Sequence, residues 1–193
     1  MIRRLADSAY TVEKLKQALL RCMNEKEYAD ITITEIARLA GINRSSFYLF
    51  FGSKDGLFVE LCHSIIDKWF QPFFDLNISR KEDKEKDLFY ELIPWVRTWA
   101  PALKRAVGVR TESSDGFMLF AAALEDNMRA QKILQAEEAN RQKRYDLFIK
   151  IYSVGVVSLF QWWLGEGEGF EEEEFHSIIE RLRYKGYFSI LQD

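Results

Sequence analysis

The stretch Ile31–Phe58, ITITEIARLAGINRSSFYLFFGSKDGLF, contains two short hydrophobic patterns of helical spacing that are separated by one glycine. The first pattern opens with Thr32–Glu35, a capping box in which the Thr hydroxyl accepts a backbone N–H and the Glu reaches back to the cap. Gly41 can adopt the left-handed conformation that ends a helix, and Asn43 is a good N-cap for the next one. The stretch therefore predicts two short helices joined by a tight turn.

Longer helical patterns flank this pair. The upstream pattern begins at Thr11 and extends to about Lys26, with apolar residues at helical spacing. The second helix of the pair is expected over Arg44–Phe51, and Ser53 then caps a long fourth helix that Pro72 should kink or stop. Two short helices braced by a longer first helix are typical of a helix-turn-helix, whose second helix enters the major groove of double-stranded DNA.

Composition predicts an all-α protein of about nine helices. Breakers are scarce, with 10 Gly and 3 Pro in 193 residues, and alternating β patterns are almost absent. We expect a helix-turn-helix domain over residues 1–52 and a helical ligand-binding and dimerisation domain over residues 53–193. The charged stretch Asn77–Asp87 is either a junction or the solvated start of a helix. Further helices are predicted near Leu88–Ala100, Ala102–Val107, Ser114–Glu138, Arg141–Leu164 and Glu171–Ser189.

Bulk properties exclude several classes of protein. The net charge is −3, with +1 in residues 1–60 and −4 in the remainder, so binding to DNA must depend on geometry more than on bulk charge. The most apolar run, Ile151–Leu164, is too short and too polar for a membrane span, and no secretory signal precedes the first helix. A cytoplasmic location without membrane contact is therefore expected.

Neither cysteine nor histidine indicates a metal or a cofactor. Cys22 and Cys62 each lie in an apolar helical stripe, which predicts buried, reduced thiols. His63 adjoins Cys62, but neighbours on a helix point about 100° apart and cannot readily share a metal ion. His176 has no partner nearby in the sequence, so we expect neither a metal site nor a bound cofactor.

Polar side chains on the helix-turn-helix suit contacts with DNA. Arg44 can make a bidentate contact with guanine or a simple contact with phosphate, and the two serines that follow permit close approach of the backbone. The threonines at the start of the preceding helix can donate to phosphates near its positive end. For Thr32 the alternative is a helix cap that makes no contact with DNA. For Lys54 it is a solvated surface lysine. The predicted contacts are Thr32, Thr34, Arg44, Ser45, Ser46, Tyr48 and Lys54.

The same stretch resembles the DNA-binding domain of the TetR family of transcriptional regulators. The resemblance is carried by Tyr28, Thr32, Ile36-Ala37, Gly41, Phe47-Tyr48, Phe51, Lys54 and Leu57. By position, it implies phosphate contacts from Thr32, Ser46, Tyr48 and Lys54. It implies contacts in the groove from Thr34, Arg44 and Ser45.

Leu49 and Phe50 depart from the family pattern, which often has a basic residue at the first position and a His at the second. Two polar contacts with DNA are missing here, so the resemblance implies a modest affinity or a shifted recognition helix. Phe50 is expected to be buried, with contact to a thymine methyl group as the alternative.

The segment Ile151–Gly165, IYSVGVVSLFQWWLG, resembles the C-terminal region of regulators similar to the activator of a dihydroxyacetone kinase operon. Ser153, Gly155 and Ser158 give its helix a flat strip that a second helix can approach closely. We expect the last two helices to meet their own copy across a two-fold axis in a four-helix interface. The alternative is that both helices serve only the core of one subunit.

An effector pocket is expected between helices of the C-terminal half. Apolar aromatic residues on three helices can line such a cavity, although an aromatic stripe is also what a plain core shows. In the TetR family, a ligand in this region reorients the DNA-binding heads of the dimer. No residue identifies the ligand, and a protein partner can take its place. The predicted lining residues are Trp95, Trp99, Phe117, Phe120 and Trp163.

These observations predict a homodimeric regulator that binds a near-palindromic operator, with repression favoured by the frequency of repressors in the family. One alternative is an activator controlled by a protein partner docked on the C-terminal half. A second is a helical carrier of small molecules whose head no longer binds DNA, an idea raised by Leu49 and Phe50. An enzyme is not expected, because the chain shows no paired acid and base.

Overall fold

The computed structural model describes residues 2–77, 82–130, 139–167, 171 and 173–175. Its first part, which we call the head, consists of α1 (Ile2–Glu25), α2 (Ile33–Ala40) and α3 (Arg44–Phe47). A short 3-10 helix, Tyr28–Asp30, connects α1 to α2. α1 packs against α2 and α2 against α3, which places their apolar sides in one core. The fully buried residues there are Leu15, Leu19, Met23, Ile36 and Phe47.

Four longer helices form what we call the body. They are α4 (Lys54–Asn77), α5 (Glu82–Gly108), α6 (Gly116–Ala130) and α7 (Ala139–Gly165). α4 packs against α6, α6 against α7, and α5 against α4, α6 and α7. Because α1 also contacts both α4 and α5, the head and the body share one continuous core.

The expected all-α class is confirmed. The residues that the structure describes contain no β-strand, and their one isolated bridge joins Arg110 to Asp115. Phe175, which ends the short described segment after α7, is fully buried and stacks on Trp163 with ring centroids 4.5 Å apart. Residues 131–138 and most of the predicted helix Glu171–Ser189 lie outside the described residues.

Two boundaries in the head differ from the prediction. α1 begins at Ile2 rather than at Thr11, because no Pro or Gly interrupts the sequence upstream of Thr11. α3 ends at Phe47 rather than near Phe51. Beyond Phe47 the backbone tightens: the Leu49 N–H donates to the Ser46 carbonyl and the Phe50 N–H to the Phe47 carbonyl, each three residues back.

Prolines in the body do not divide the helices as expected. The predicted helices Leu88–Ala100 and Ala102–Val107 are one helix, α5, which continues through Pro94 and Pro101. α4 likewise passes Pro72 and ends at Asn77. Packing of these helices against α1 and α6 offsets the backbone hydrogen bond that each proline removes.

Both cysteines are buried and free, as predicted. Burial raises the pKa of the Cys22 thiol and of the Cys62 thiol, so both remain protonated at neutral pH. Among the described residues, no group of three His, Cys, Asp or Glu side chains is placed to hold a metal ion.

The apolar part of α7 is longer than the run Ile151–Leu164 that stands out in the sequence. From Gln142 to Gly165 it is long and apolar enough, by length and composition, to cross a membrane. A core helix outside membranes passes the same test, and α7 packs against α5 and α6. The feature is therefore weak evidence for a membrane span. Part of its apolar surface faces outward, with Leu147, Ile151, Val154 and Trp162 exposed.

Candidate nucleic-acid interface

The start of α2 is built as the sequence predicts. Thr32 is its N-cap, and the Thr32 Oγ1 accepts a hydrogen bond of 3.2 Å from the Glu35 backbone N–H. The Glu35 carboxylate accepts a hydrogen bond of 2.6 Å from the Lys26 ammonium. This bond, aided by the Thr32 backbone, holds the pKa of Glu35 below its usual value. Thr32 and Thr34 both remain exposed and available to a ligand.

The turn between α2 and α3 is fixed by one glycine and one asparagine. Gly41 has φ 73°, the left-handed conformation that ends α2, and its N–H donates to the Arg38 carbonyl at 3.2 Å. Asn43 then caps α3: its Oδ1 accepts the Ser46 N–H at 2.7 Å and the Ser45 hydroxyl at 2.7 Å. Both caps are confirmed, and together they set the direction in which α3 leaves the head.

α3 has a buried side and an exposed side. Phe47 is fully buried and packs edge-on against Tyr48, with ring centroids 5.6 Å apart. Arg44, Ser45 and Tyr48 are exposed, while Ser46 is half-buried. Residues four apart share a helix face, so Arg44 and Tyr48 lie one above the other. The structure thus brings the predicted contacts of α3 onto one surface.

Lys54, the first residue of α4, has a different role from the other predicted contacts. Its ammonium donates to the Tyr28 carbonyl at 2.6 Å and the Ile31 carbonyl at 2.8 Å, and it lies 4.2 Å from the centroid of the Tyr28 ring. Burial lowers the pKa of Lys54. Two of its three N–H groups therefore hold the 3-10 helix and its C-cap residue Ile31 against the start of α4. One remains for the predicted phosphate contact.

Leu49 and Phe50 separate in the structure. Phe50 is half-buried and packs against the core, as predicted. Leu49 follows Tyr48 on the exposed side, and 82% of its surface is accessible. The turn that follows α3 thus carries an exposed apolar side chain.

A carboxylate at the junction of head and body was not predicted from the sequence. Asp55 accepts hydrogen bonds from the Tyr28 hydroxyl at 2.6 Å, the Ser113 hydroxyl at 2.8 Å and the Ser114 hydroxyl at 3.0 Å. Burial alone would raise the pKa of Asp55, but these bonds and the Lys54 charge outweigh it, and the pKa is lowered. Nothing local in the sequence signals this cluster, because its members lie up to 86 positions apart in the chain.

A second link between head and body comes from Arg105 of α5. Its guanidinium donates to the Glu27 carboxylate at 2.8 Å and to the carbonyls of Met23 and Asn24 at 3.1 Å each. The last carbonyls of a helix lack partners within that helix, and a cation is favoured beside them. Arg105 therefore caps the C-terminus of α1 from another part of the fold.

The head also matches a known family. Residues 16–61 match the family model described as bacterial regulatory proteins, tetR family. Over these residues the chain is similar to that family. No curated protein matches the chain in sequence. The match begins within α1 and ends within α4, so it does not cover the rest of the chain.

Two solved structures share the fold of this chain. A TetR transcriptional regulator from Rhodococcus sp. RHA1 has a TM-score of 0.59 at 15% identity, over 96% of this chain and 97% of that chain. Native NalD, the secondary repressor of the MexAB-OprM multidrug efflux pump in Pseudomonas aeruginosa, has a TM-score of 0.52 at 18% identity, over 93% and 96%. At these identities the likeness establishes the fold of head and body alone.

The body contains a small apolar cavity of about 30 Å³, lined by residues of α4, α5, α6 and α7. Of the five predicted pocket residues, Phe120 lines it. Trp95 packs against Trp69 at 5.5 Å, and Trp163 packs against Phe160 and Phe175. Trp99 and Phe117 are half-buried against the core. A volume near that of one water molecule does not hold an organic effector, so the predicted pocket stays a prediction.

Proposed function

We propose that the protein is a TetR-type transcriptional regulator that binds a near-palindromic operator as a homodimer. The observation that carries this proposal is the exposure of Arg44, Ser45 and Tyr48 on α3 and at its C-cap, while Phe47 anchors the helix in the core. In a helix-turn-helix this side enters the major groove. Thr32, Thr34, Ser46 and Lys54 border it and supply contacts with phosphates and with the groove edge.

Dimerisation is proposed through α7 together with the segment that follows it. Leu147, Ile151 and Val154 recur at helical spacing on the exposed side of α7, so one apolar stripe runs along it. A second copy related by a two-fold axis would cover this stripe and place two heads side by side. Ser153 does not belong to the stripe, since it is fully buried and its hydroxyl donates to the Lys150 carbonyl.

The proposed mode of action is repression in the cytoplasm. Binding of an effector would release the protein from its operator. The cavity between α4, α5, α6 and α7 marks the place where an effector would separate the helices. α4 begins beside the head at Lys54 and lines the cavity with Ile65, Ile66 and Trp69. It therefore connects the DNA-binding surface directly to the cavity. The relationship to activators of dihydroxyacetone kinase operons remains a prediction from the sequence.

A second candidate is control by a protein partner in place of a small molecule. The observation that favours it is the small size of the cavity beside the exposed apolar stripe of α7. Control by an effector and control by a partner are distinguished by adding either a small-molecule extract or the protein fraction of the host to the operator complex. Release by the extract supports an effector, whereas a change caused only by the protein fraction supports a partner.

The proposed function is tested by incubating the protein with sheared DNA from its host at 50 and 200 mM salt and sequencing what is retained. We expect an inverted repeat whose affinity falls by about 10³–10⁵-fold between the two conditions, as for a protein with several phosphate contacts. Arg44→Ala should lose about 1–3 kcal/mol of discrimination between operator and random DNA. Lys104→Ala, an exposed change on α5, should bind like the wild type. Retention without any enriched sequence would contradict the proposal.

A further inference from the structure

The exposure of Leu49 is unusual for its residue type and its place. It is the most exposed of the large hydrophobic residues that the structure describes, with 82% of its surface accessible. Tyr10, the next, is 64% exposed and carries the ammonium of Lys14 over its ring. Leu49 has no such cover. It stands on the part of the head where polar contacts with DNA are expected.

Backbone hydrogen bonds fix the direction of this side chain. The Leu49 N–H donates to the Ser46 carbonyl at 3.1 Å, and the Phe51 N–H donates to the Phe47 carbonyl at 3.0 Å, so the chain continues the turn of α3. The bond three residues back is that of a tightened turn, so Leu49 stands about one turn beyond Ser46, just past the C-terminal end of α3. Phe47, two residues back, points the other way into the core. Leu49 thus extends the exposed surface formed by Arg44, Ser45 and Tyr48 beyond the end of α3.

The major groove presents one apolar group that this side chain can detect. Thymine carries a methyl group there, and the other three bases present hydrogen-bond donors and acceptors. A leucine has no polar atom to pair with a base edge, so contact with guanine, adenine or cytosine would leave their groups without water or a partner. Phe50, which the sequence offered for a thymine contact, packs against the core instead.

We propose that Leu49 is a specificity-determining residue that packs against the 5-methyl group of a thymine in each half of the operator. The inference depends on the proposed function, since it needs an operator. In the operator complex, Arg44 and Ser45 supply the polar contacts in the groove, and Leu49 supplies the apolar one.

The test replaces thymine by deoxyuridine, which removes only the methyl group. Each thymine of the recovered operator is replaced in turn, in both half-sites together, and Kd is measured by fluorescence anisotropy. At one position we expect a loss of roughly fourfold per methyl group, or about fifteenfold for the symmetric pair. In Leu49→Ala the same replacement should change Kd less than about twofold, while deoxyuridine at other positions behaves as in the wild type.

Two variants separate this role from a general loss of binding. Leu49→Ala should fold normally, because its side chain is exposed, which circular dichroism and the unfolding midpoint verify. Tyr48→Phe removes a hydroxyl meant for phosphate and should weaken all duplexes alike while keeping the deoxyuridine effect. An operator without a sensitive thymine, or a sensitivity that Leu49→Ala retains, overturns the role of Leu49 alone. Failure to recover an operator overturns the proposed function and this inference together.

Discussion

The Ser114 hydroxyl, in the loop between α5 and α6, donates a hydrogen bond of 3.0 Å to the Asp55 carboxylate at the start of α4. Ser113 of the same loop and Tyr28 of the 3-10 helix donate to the same carboxylate. Burial, with the bond to Asp55, raises the pKa of the Tyr28 phenol. The phenol therefore stays protonated and donates its hydrogen bond at any physiological pH. One carboxylate thus joins Tyr28, beside the head, to two parts of the body, the start of α4 and the loop between α5 and α6.

Asp55→Asn should lower stability in a way that depends on pH. The folded chain keeps this carboxylate ionised to a lower pH than the unfolded chain does, so its contribution is complete above about pH 4 and is lost as the pH falls further. We expect the variant to unfold about 1–2 kcal/mol more easily at pH 7, and the difference to narrow as the pH falls below about 4.

Urea unfolding of the wild type and Asp55→Asn at a series of pH values measures this difference. Asp126→Asn, an exposed change on α6, serves as the control and should follow the wild type throughout. A constant gap between the Asp55→Asn and wild-type curves across the whole pH range would show that the charge of Asp55 is not what stabilises the junction.

Gly116→Ala should destabilise the body through a steric clash. A Cβ at this position would lie 1.8 Å from the Ala106 carbonyl oxygen, because the first residue of α6 packs directly on the end of α5. We expect a loss of about 3 kcal/mol or more in the free energy of unfolding. Gly108→Ala is the matched control, since a Cβ there meets nothing within 4 Å. It should be neutral or stabilising by roughly 0.4–1 kcal/mol, and equal unfolding midpoints for the two variants would refute this account.

Lys54→Met should weaken the head even without DNA. It would leave the Tyr28 and Ile31 carbonyls without their donor, at a cost of about 1–3 kcal/mol. Lys104→Met, an exposed change on α5, should leave stability unchanged in the same denaturant titration. If Lys54 also contacts phosphate, the slope of log Kd against log salt should fall by about 1 for each head. A loss of stability with an unchanged slope would restrict Lys54 to its structural role.

Val154→Glu should dissociate the proposed dimer. The change places a carboxylate in the middle of the apolar stripe of α7, and burying it there without a partner costs several kcal/mol. Sedimentation analysis should show a rise of at least about a hundredfold in the dissociation constant of the dimer. Ala122→Glu, exposed on α6, should sediment like the wild type. A Val154→Glu protein that remains dimeric would place the interface elsewhere.

The parts of the site that the sequence predicts well depend on neighbours in the chain. Thr32, Gly41 and Asn43 act on backbone groups no more than about four residues away, so their roles can be inferred from spacing alone. The 3.6-residue pattern likewise identifies which side of each helix is buried. This is why the helix-turn-helix was predicted in detail, although the exact end of α3 was not.

The parts that the sequence does not predict depend on contacts between distant segments. The continuation of α5 through Pro101 reflects packing against α1 and α7, which local rules do not include. The direction of Lys54 toward two carbonyls and of Arg105 toward the end of α1 requires knowing which helices meet. The predicted pocket stays a prediction for the same reason, because aromatic spacing does not distinguish a lining residue from a packed one; of its five residues, Phe120 lines the cavity.

The cap that Arg105 provides for α1 bears on how such regulators can be recombined. A head moved together with the start of α4 onto another body would lose the guanidinium that satisfies the Met23 and Asn24 carbonyls and the two serines that hold Asp55. The portable unit is therefore larger than the segment that touches DNA. A chimera that keeps its new operator preference should carry Arg105, Ser113 and Ser114 along with the transplanted head, as a matched set from one parent.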